Sequence, residues 1–380
     1  MAMHKETLCG LLLTTALTLP FTSYATQYPL TVTDMDGRKI EIEQEPKRIV
    51  LQDGRDIMSL ALLDRENPFQ RLVAWNNQPR KSDKATWALM TDKWPEADAI
   101  MDMGLGDMGE VELESVLSKQ PDLMIAQLRS KPTLTGSGVI DKLQALNIPV
   151  VFVDYEVNPV KNTASSIDLL GKVLNKEDNA KAYTDFYRQH LTEIQKQTAA
   201  LPAKANVFVE AWAGRSDSCC FSHAHNGWGG LVEAIGARNI GSDLLPGANG
   251  YVSLEKLISM QPDVYVMTGA KRGNNNDGNS VNPLPFGLGA DGKSIDKQAV
   301  ILLNRDGVSQ IPAVRQKRAY GIYHQFYNNP FNIIGMEYLA KAIYPQQFSA
   351  LNPDENYRYV MRHFTALPGS DFIYFWKPSE

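Results

Sequence analysis

The sequence predicts an α/β fold of two similarly built lobes, each on a parallel sheet. Three observations carry this. The chain has 380 residues, 43% hydrophobic and 21% charged, a globular composition at a length that suits two domains better than one core. Short apolar runs alternate with polar loops and amphipathic stretches, the pattern of strands covered by helices on both faces. One segment also occurs twice. GEVELESVLSKQPDLMIA, from Gly109 to Ala126, and GYVSLEKLISMQPDVYVM, from Gly250 to Met267, share Gly, Val, Leu, Glu, Ser, Gln, Pro and Asp at matched positions. Each copy reads as a short amphipathic helix, a Gln-Pro-Asp stop and turn, then an apolar strand. Two copies are too few for a solenoid and fit one copy per lobe.

Taken in order, residues 1–25 read as an export signal: Lys5, an apolar run from Leu8 to Leu19, and a cleavage site at Ser23-Tyr24-Ala25. Cleavage after Ala25 predicts a soluble protein of an exported compartment. The first lobe spans 26–157. It opens with TVTDMDGRKIEI, which alternates about Asp36-Gly37 as a hairpin. RIVLQ (Arg48 to Gln52), RLVAW (Arg71 to Trp75), DLMIA (Asp122 to Ala126) and PVVFVDY (Pro149 to Tyr155) follow as strands. Residues 158–200 show helical periodicity, with Ala164, Ile167, Leu170 and Leu174 on one stripe and Tyr183, Tyr187, Leu191 and Ile194 on another. The second lobe, 201–380, offers NVFVEAW, DVYVMTG and AYGIY as strands and ends in an aromatic tail with Phe372, Tyr374, Phe375 and Trp376. The Gly- and Asn-rich stretch from Gly273 to Gly292 has the composition of a mobile loop, either a lid or a spacer.

Several function classes are disfavoured. A net charge of −5 lacks the basic footprint of a nucleic-acid or anionic-membrane binder. Beyond the N-terminus no run is long and apolar enough to span a bilayer. No nucleophile elbow, HExxH or phosphate loop is present. Signal cleavage leaves only Cys219 and Cys220, which are either two free thiols or a bridge between neighbours.

The hairpin, Pro46-Lys47-Arg48-Ile49-Val50, Pro121-Asp122-Leu123, the helical 158–200 segment and Pro262-Asp263-Val264 together resemble one family. It comprises the periplasmic binding proteins that deliver iron-siderophores, haem and vitamin B12 to ABC importers, and the resemblance covers roughly Thr31 to Pro345. It implies two Rossmann-like lobes joined by a long rigid helix, a ligand cleft between them, and a monomer that meets an ABC permease and its ATPase. It also implies one exposed glutamate per lobe on the repeated helix, to meet permease arginines; Glu114 and Glu255 match those positions. Physically, two carboxylates on equivalent surfaces fix orientation and assist encounter.

Ligands of open α/β sheets bind beyond the carboxyl ends of the strands. Candidates there are Arg55, Trp75, Arg80, Arg129 and Tyr155 in the first lobe. In the second they are Arg215, His223, His225, Trp228, Arg272, His324 and Tyr327. Cations and aromatics at strand ends of an acidic protein suit a large, partly aromatic anion. SDSCCFSHAHNGWGG, Ser216 to Gly230, concentrates Cys and His, but adjacent cysteines do not match structural zinc spacing; it is read as a ligand loop with no metal assigned directly. The expected function is capture of a ferric siderophore or similar iron chelate, without a cofactor and without catalysis. Haem, a corrinoid or an oxyanion are the alternatives within the class. Haem would take an axial ligand from Tyr155, His223, His324 or Tyr327. A periplasmic enzyme using His223, His225 and the cysteines is the alternative outside it.

Overall fold

The computed structural model describes residues 26–103, 111–271, 281–367, 369 and 371–379. The signal segment, Arg272 and the start of the Gly- and Asn-rich stretch lie outside the described residues. Strands β1 (Leu30–Thr33) and β2 (Lys39–Ile42) form the expected hairpin, with Thr33 opposite Lys39. β3 (Ile49–Leu51), β4 (Leu72–Trp75), β5 (Met101–Asp102), β6 (Leu123–Gln127) and β7 (Val150–Val153) build the first sheet. It is parallel throughout, in the order β5-β4-β3-β6-β7. The chain moves to one side of β3 and then returns to the other. The gap between the β3 and β6 loops is therefore a topological switch point.

The second lobe contains β8 (Asn206–Glu210), β9 (Phe221–His223), β10 (Arg238–Asn239), β11 (Asn249–Tyr251), β12 (Val264–Gly269), β13 (Gly287–Leu288), β14 (Ala319–Tyr323), β15 (Phe372–Ile373) and β16 (Phe375–Trp376). Its main sheet runs β10-β8-β12-β14-β16. The aromatic tail supplies β16, the one antiparallel member among the described strands of that sheet. β9 pairs with β11 and β13 with β15, both antiparallel.

The internal repeat has a structural cause. In each lobe a short helix, Leu113–Leu117 or Leu254–Ser259, ends just before a glutamine in the left-handed region, Gln120 (φ 48°) or Gln261 (φ 49°). The Pro-Asp that follows turns the chain into β6 or β12, and the aspartate clasps the start of the neighbouring strand. Asp122 accepts from the backbone N–H groups of Lys47 (2.8 Å) and Arg48 (2.9 Å). Asp263 accepts from that of Asn206 at 2.7 Å.

Residues 158–200 fold as two helices, Pro159–Val173 and Glu177–Ala199. The second has 23 residues, about 35 Å at 1.5 Å per residue. It packs on helix Ile57–Leu63 of the first lobe and on Asn332–Ile343 and Pro353–Phe364 of the second. Both expected stripes face inward, with Ile167, Leu170, Tyr183 and Tyr187 fully buried. A helix that touches both lobes along its length permits little rocking. The described half of the Gly- and Asn-rich stretch is not a loose loop. Leu284 and Phe286 are fully buried in the second core, and β13 joins the tail. The composition of its first half hid the apolar run VNPLPFGL at its end.

Candidate functional site

The loop after β3 builds the floor of the cleft. Asp53 leaves the strand fully buried and accepts from the backbone N–H of Arg55 at 3.0 Å. Gly54 is needed here: a Cβ would fall 1.9 Å from the carbonyl oxygen of Asn76. This turn returns the Arg55 guanidinium over its own loop, where Nε and Nη2 donate to Asp53 at 2.9 and 2.6 Å. Arg129, carried just past β6 on the other side of the switch point, donates from Nη2 to Asp53 at 2.6 Å and lies 3.4 Å from Glu156. One buried carboxylate thus fixes two guanidinium planes. Burial alone would raise the pKa of Asp53, but Arg55 and Arg129 overcome it and hold the carboxyl well below the usual carboxylate range. Its neighbour Asp56 goes the other way. Burial, then the charge of Asp53, push it well above that range, and it accepts from the Gln127 amide.

The second lobe closes over this floor with the loop after β14. Asn328, with its amide oxygen toward Arg55, accepts from Nη1 at 2.7 Å. Tyr323 donates across the lobes to Asp83 at 2.6 Å. Beside these contacts lies an interlobe pocket, open to solvent, in which Arg55, Asp83 and Tyr323 meet an apolar wall including Phe331, Tyr357 and Tyr374. In the second lobe, rings from the β8 loop, the end of β9 and the segment after β14 cluster together. The Trp212 ring lies 4.2 Å from that of His324, which lies 4.7 Å from that of Tyr327. His223 stands 5.2 Å from Tyr327 on its other side. Burial lowers the pKa of His223 to about 4, so its ring is neutral at neutral pH.

The sequence candidates therefore separate. Arg55 lines the interlobe pocket and Arg129 shares Asp53 with it, while His223, His324 and Tyr327 form one ring cluster in the second lobe, with both histidines buried. Trp75, Tyr155 and Trp228 are fully buried. Trp75 packs between Phe69 and Trp87, and the Tyr155 hydroxyl is bonded to Ser59 at 2.7 Å. A strand buried on both faces gives no sequence signal for whether its last aromatic turns to the core or the cleft. His225 is exposed and meets Glu233 at 3.0 Å, and Arg80 is exposed 3.6 Å from Asp98. Arg215 lies over the Phe221 ring, 5.2 Å from its centroid. The Cys219 and Cys220 sulfurs are bonded to each other. Glu114 and Glu255 are exposed in the first turns of the repeated helices. Asp53, Asp83, Trp212, Tyr323 and Asn328 escaped the sequence reading, which searched strand ends for cations and missed the acids that orient them.

The periplasmic binding protein family model matches residues 71–325. Among solved structures, the chain is similar to a TroA-like periplasmic binding protein, FepB, from Veillonella parvula. That match has 22% identity and a TM-score of 0.81, over 92% of this chain and all of the other. It is similar also to MolA of Haemophilus influenzae bound to molybdate (19%, TM-score 0.64, 88% and 97% covered). A periplasmic heme binding protein from Pseudomonas aeruginosa matches at 19% and TM-score 0.53, over 79% and 94%. No curated protein sequence matches the chain. At these identities the structures speak for the fold, whereas the family match spans most of the chain. Proteins of this family bind solutes rather than transform them, and they act in the periplasm with an ABC permease and its ATPase. The chain belongs to the periplasmic binding protein family, the solute-binding components of ABC importers.

Proposed function

We propose that the protein captures an anionic metal chelate, a ferric siderophore or an iron chelate of that kind, between its lobes and delivers it to the permease. The observation that carries this reading is the interlobe pocket, where the fixed guanidinium of Arg55 meets an aromatic wall. Aromatic faces pack on flat ligand groups while guanidinium pairs with charged oxygens. Among the described residues no three His, Cys, Asp or Glu side chains converge to hold a metal ion; a metal that arrives already chelated fits that donor set. The compared proteins include a heme binder and a molybdate-bound protein, so the choice of ligand rests on the pocket and not on the fold. Haem loses one axial candidate, since Tyr155 is buried and bonded to Ser59.

In this reading residues 1–25 direct export and are cleaved after Ala25. The mature monomer then docks through Glu114 and Glu255, whose equivalent positions in the repeat present one carboxylate from each lobe. Titration with the ferric complex of 2,3-dihydroxybenzoate, followed by Trp212 fluorescence and repeated with haemin, tests the ligand. Saturable binding of the ferric chelate, tighter than that of haemin, supports the reading; preference for haemin overturns it.

A further inference from the structure

His223 has a feature that the ligand reading does not use. Its Nδ1 faces a backbone N–H, that of Trp228, at 3.3 Å. A backbone nitrogen can only donate, so Nδ1 must accept, and the ring proton of the neutral imidazole must sit on Nε2. We propose that His223 serves the cleft as a fixed Nε2–H hydrogen-bond donor. It thereby selects a ligand that offers an oxygen acceptor at this point, not a metal open to imidazole coordination. This rests on the chelate reading above and narrows it.

The sequence builds the arrangement deliberately. Trp228 lies in the first turn of helix Gly227–Ala234, whose N-cap residue Asn226 makes no side-chain cap bond. The helix start is satisfied instead by two acceptors outside the helix: the Gly227 N–H donates to the Glu156 carbonyl at 2.7 Å, and the Trp228 N–H donates to His223, five residues earlier. Gly227 makes the approach possible. It has φ +47°, and a Cβ there would lie 2.7 Å from Nδ1 of His223. The helix N-terminus carries positive partial charge, which opposes a second proton on the ring. The backbone of His223 is pinned as well, by the Asn239 amide at 2.9 Å and by β11. The residue keeps 5% of its surface exposed, and with Nδ1 engaged the ring nitrogen left for a ligand is Nε2.

Two other histidines provide a contrast. His190 and His225 turn Nδ1 toward carboxylates, Glu337 and Glu233, and not toward a backbone N–H. His324, across Tyr327, sets Nδ1 2.7 Å from Thr268 Oγ1, which already accepts from the Trp212 N–H. An imidazole coordinates metal through an unprotonated nitrogen. Coordination through Nε2 would require His223 to lose its proton or to move it to Nδ1, against the Trp228 N–H.

The test is a long-range proton–nitrogen correlation spectrum of the uniformly labelled full chain, with His223→Phe to assign the ring. An unprotonated Nδ1 and a protonated Nε2 for His223 from pH 5.5 to 8 are expected. An Nδ1–H ring or an imidazolium overturns the proposal. Haemin is then added. Persistence of the Nε2–H is expected; its replacement by an iron-coordinated nitrogen overturns the proposal. Binding of the diamagnetic gallium(III) complex of 2,3-dihydroxybenzoate should weaken about tenfold in His223→Leu, one hydrogen bond to a charged acceptor. His223→Asn, which keeps an N–H donor and an acceptor for the helix, should retain most of the affinity. Equal binding by parent and His223→Leu overturns the proposal. A chain that ignores the gallium chelate altogether refutes the chelate reading instead, and the tautomer measurement still decides the assignment of His223.

Discussion

Replacing Asp53 by Asn changes almost no volume and removes one charge from beneath two guanidinium groups. In the parent this carboxylate is fully buried and accepts from Arg55 Nε (2.9 Å) and Nη2 (2.6 Å) and from Arg129 Nη2 (2.6 Å). Removing one partner of a buried ion pair costs about 3–5 kcal/mol, because the remaining charge keeps its desolvation penalty. The side chains of Arg55 and Arg129 retain 14% and 15% exposure, so water recovers part of that loss. We place the expected destabilisation at about 3 kcal/mol. Urea unfolding at pH 7 measures it. The pH dependence has a definite sign. The folded-state pKa of Asp53 lies below its unfolded value, so its contribution is complete above the ordinary carboxylate pKa of about 4 and is lost as pH falls through the folded value. The gap between parent and Asp53→Asn should therefore narrow in acid. Arg129→Met should also cost less in the Asp53→Asn background than in the parent, since the two side chains share one interaction. A variant within about 1 kcal/mol of the parent at pH 7, or a gap that widens in acid, would refute the view that Asp53 holds the cleft floor.

Arg55→Ala should weaken ferric-chelate binding by roughly ten- to a hundredfold, the equivalent of about 1.5–3 kcal/mol for a charge-assisted contact; unchanged affinity in the fluorescence titration would count against an anionic ligand. Charge reversal at Glu114 or Glu255 should impair uptake in cells while ligand affinity stays constant, and normal transport by the doubly reversed protein would dispose of the docking role. Tyr323→Phe removes the cross-lobe bond to Asp83 and should cost about 1–2 kcal/mol in urea unfolding, with no change expected if the contact is made only transiently. Cys219 and Cys220 should resist alkylation until reductant is added, and mass spectrometry showing two labelled thiols in unreduced protein would contradict the bridge.

The lobes were legible because their physics is local. Apolar runs ending at Gln52, Trp75 and Tyr155 could only be strands covered on both sides, and Pro121-Asp122 and Pro262-Asp263 marked where helix gives way to strand. The antiparallel β16 was less visible. Phe375-Trp376 is too short for a period, and its pairing with Gly321 and Ile322 depends on a tail folding back across the lobe. The cleft was half legible. Arg55 and Arg129 follow from strand ends, yet their mutual orientation depends on Asp53, and nothing in the string QDGRD says that both cations converge on one carboxylate. Trp228 shows the opposite error. An aromatic among glycines and histidines looks like a ligand platform, but Gly229 and Gly230 let its helix pack so closely that the indole is fully buried. What the sequence withheld was direction: which way each side chain leaves a strand end whose position it did disclose.

Native purification of the exported protein, followed by visible absorption and mass spectrometry of the extracted ligand, tests the central claim most directly. The account predicts an organic iron chelate bearing acidic oxygens, with a charge-transfer band and no Soret band. A Soret band with extractable haem, or a bare oxyanion as the bound species, would contradict it.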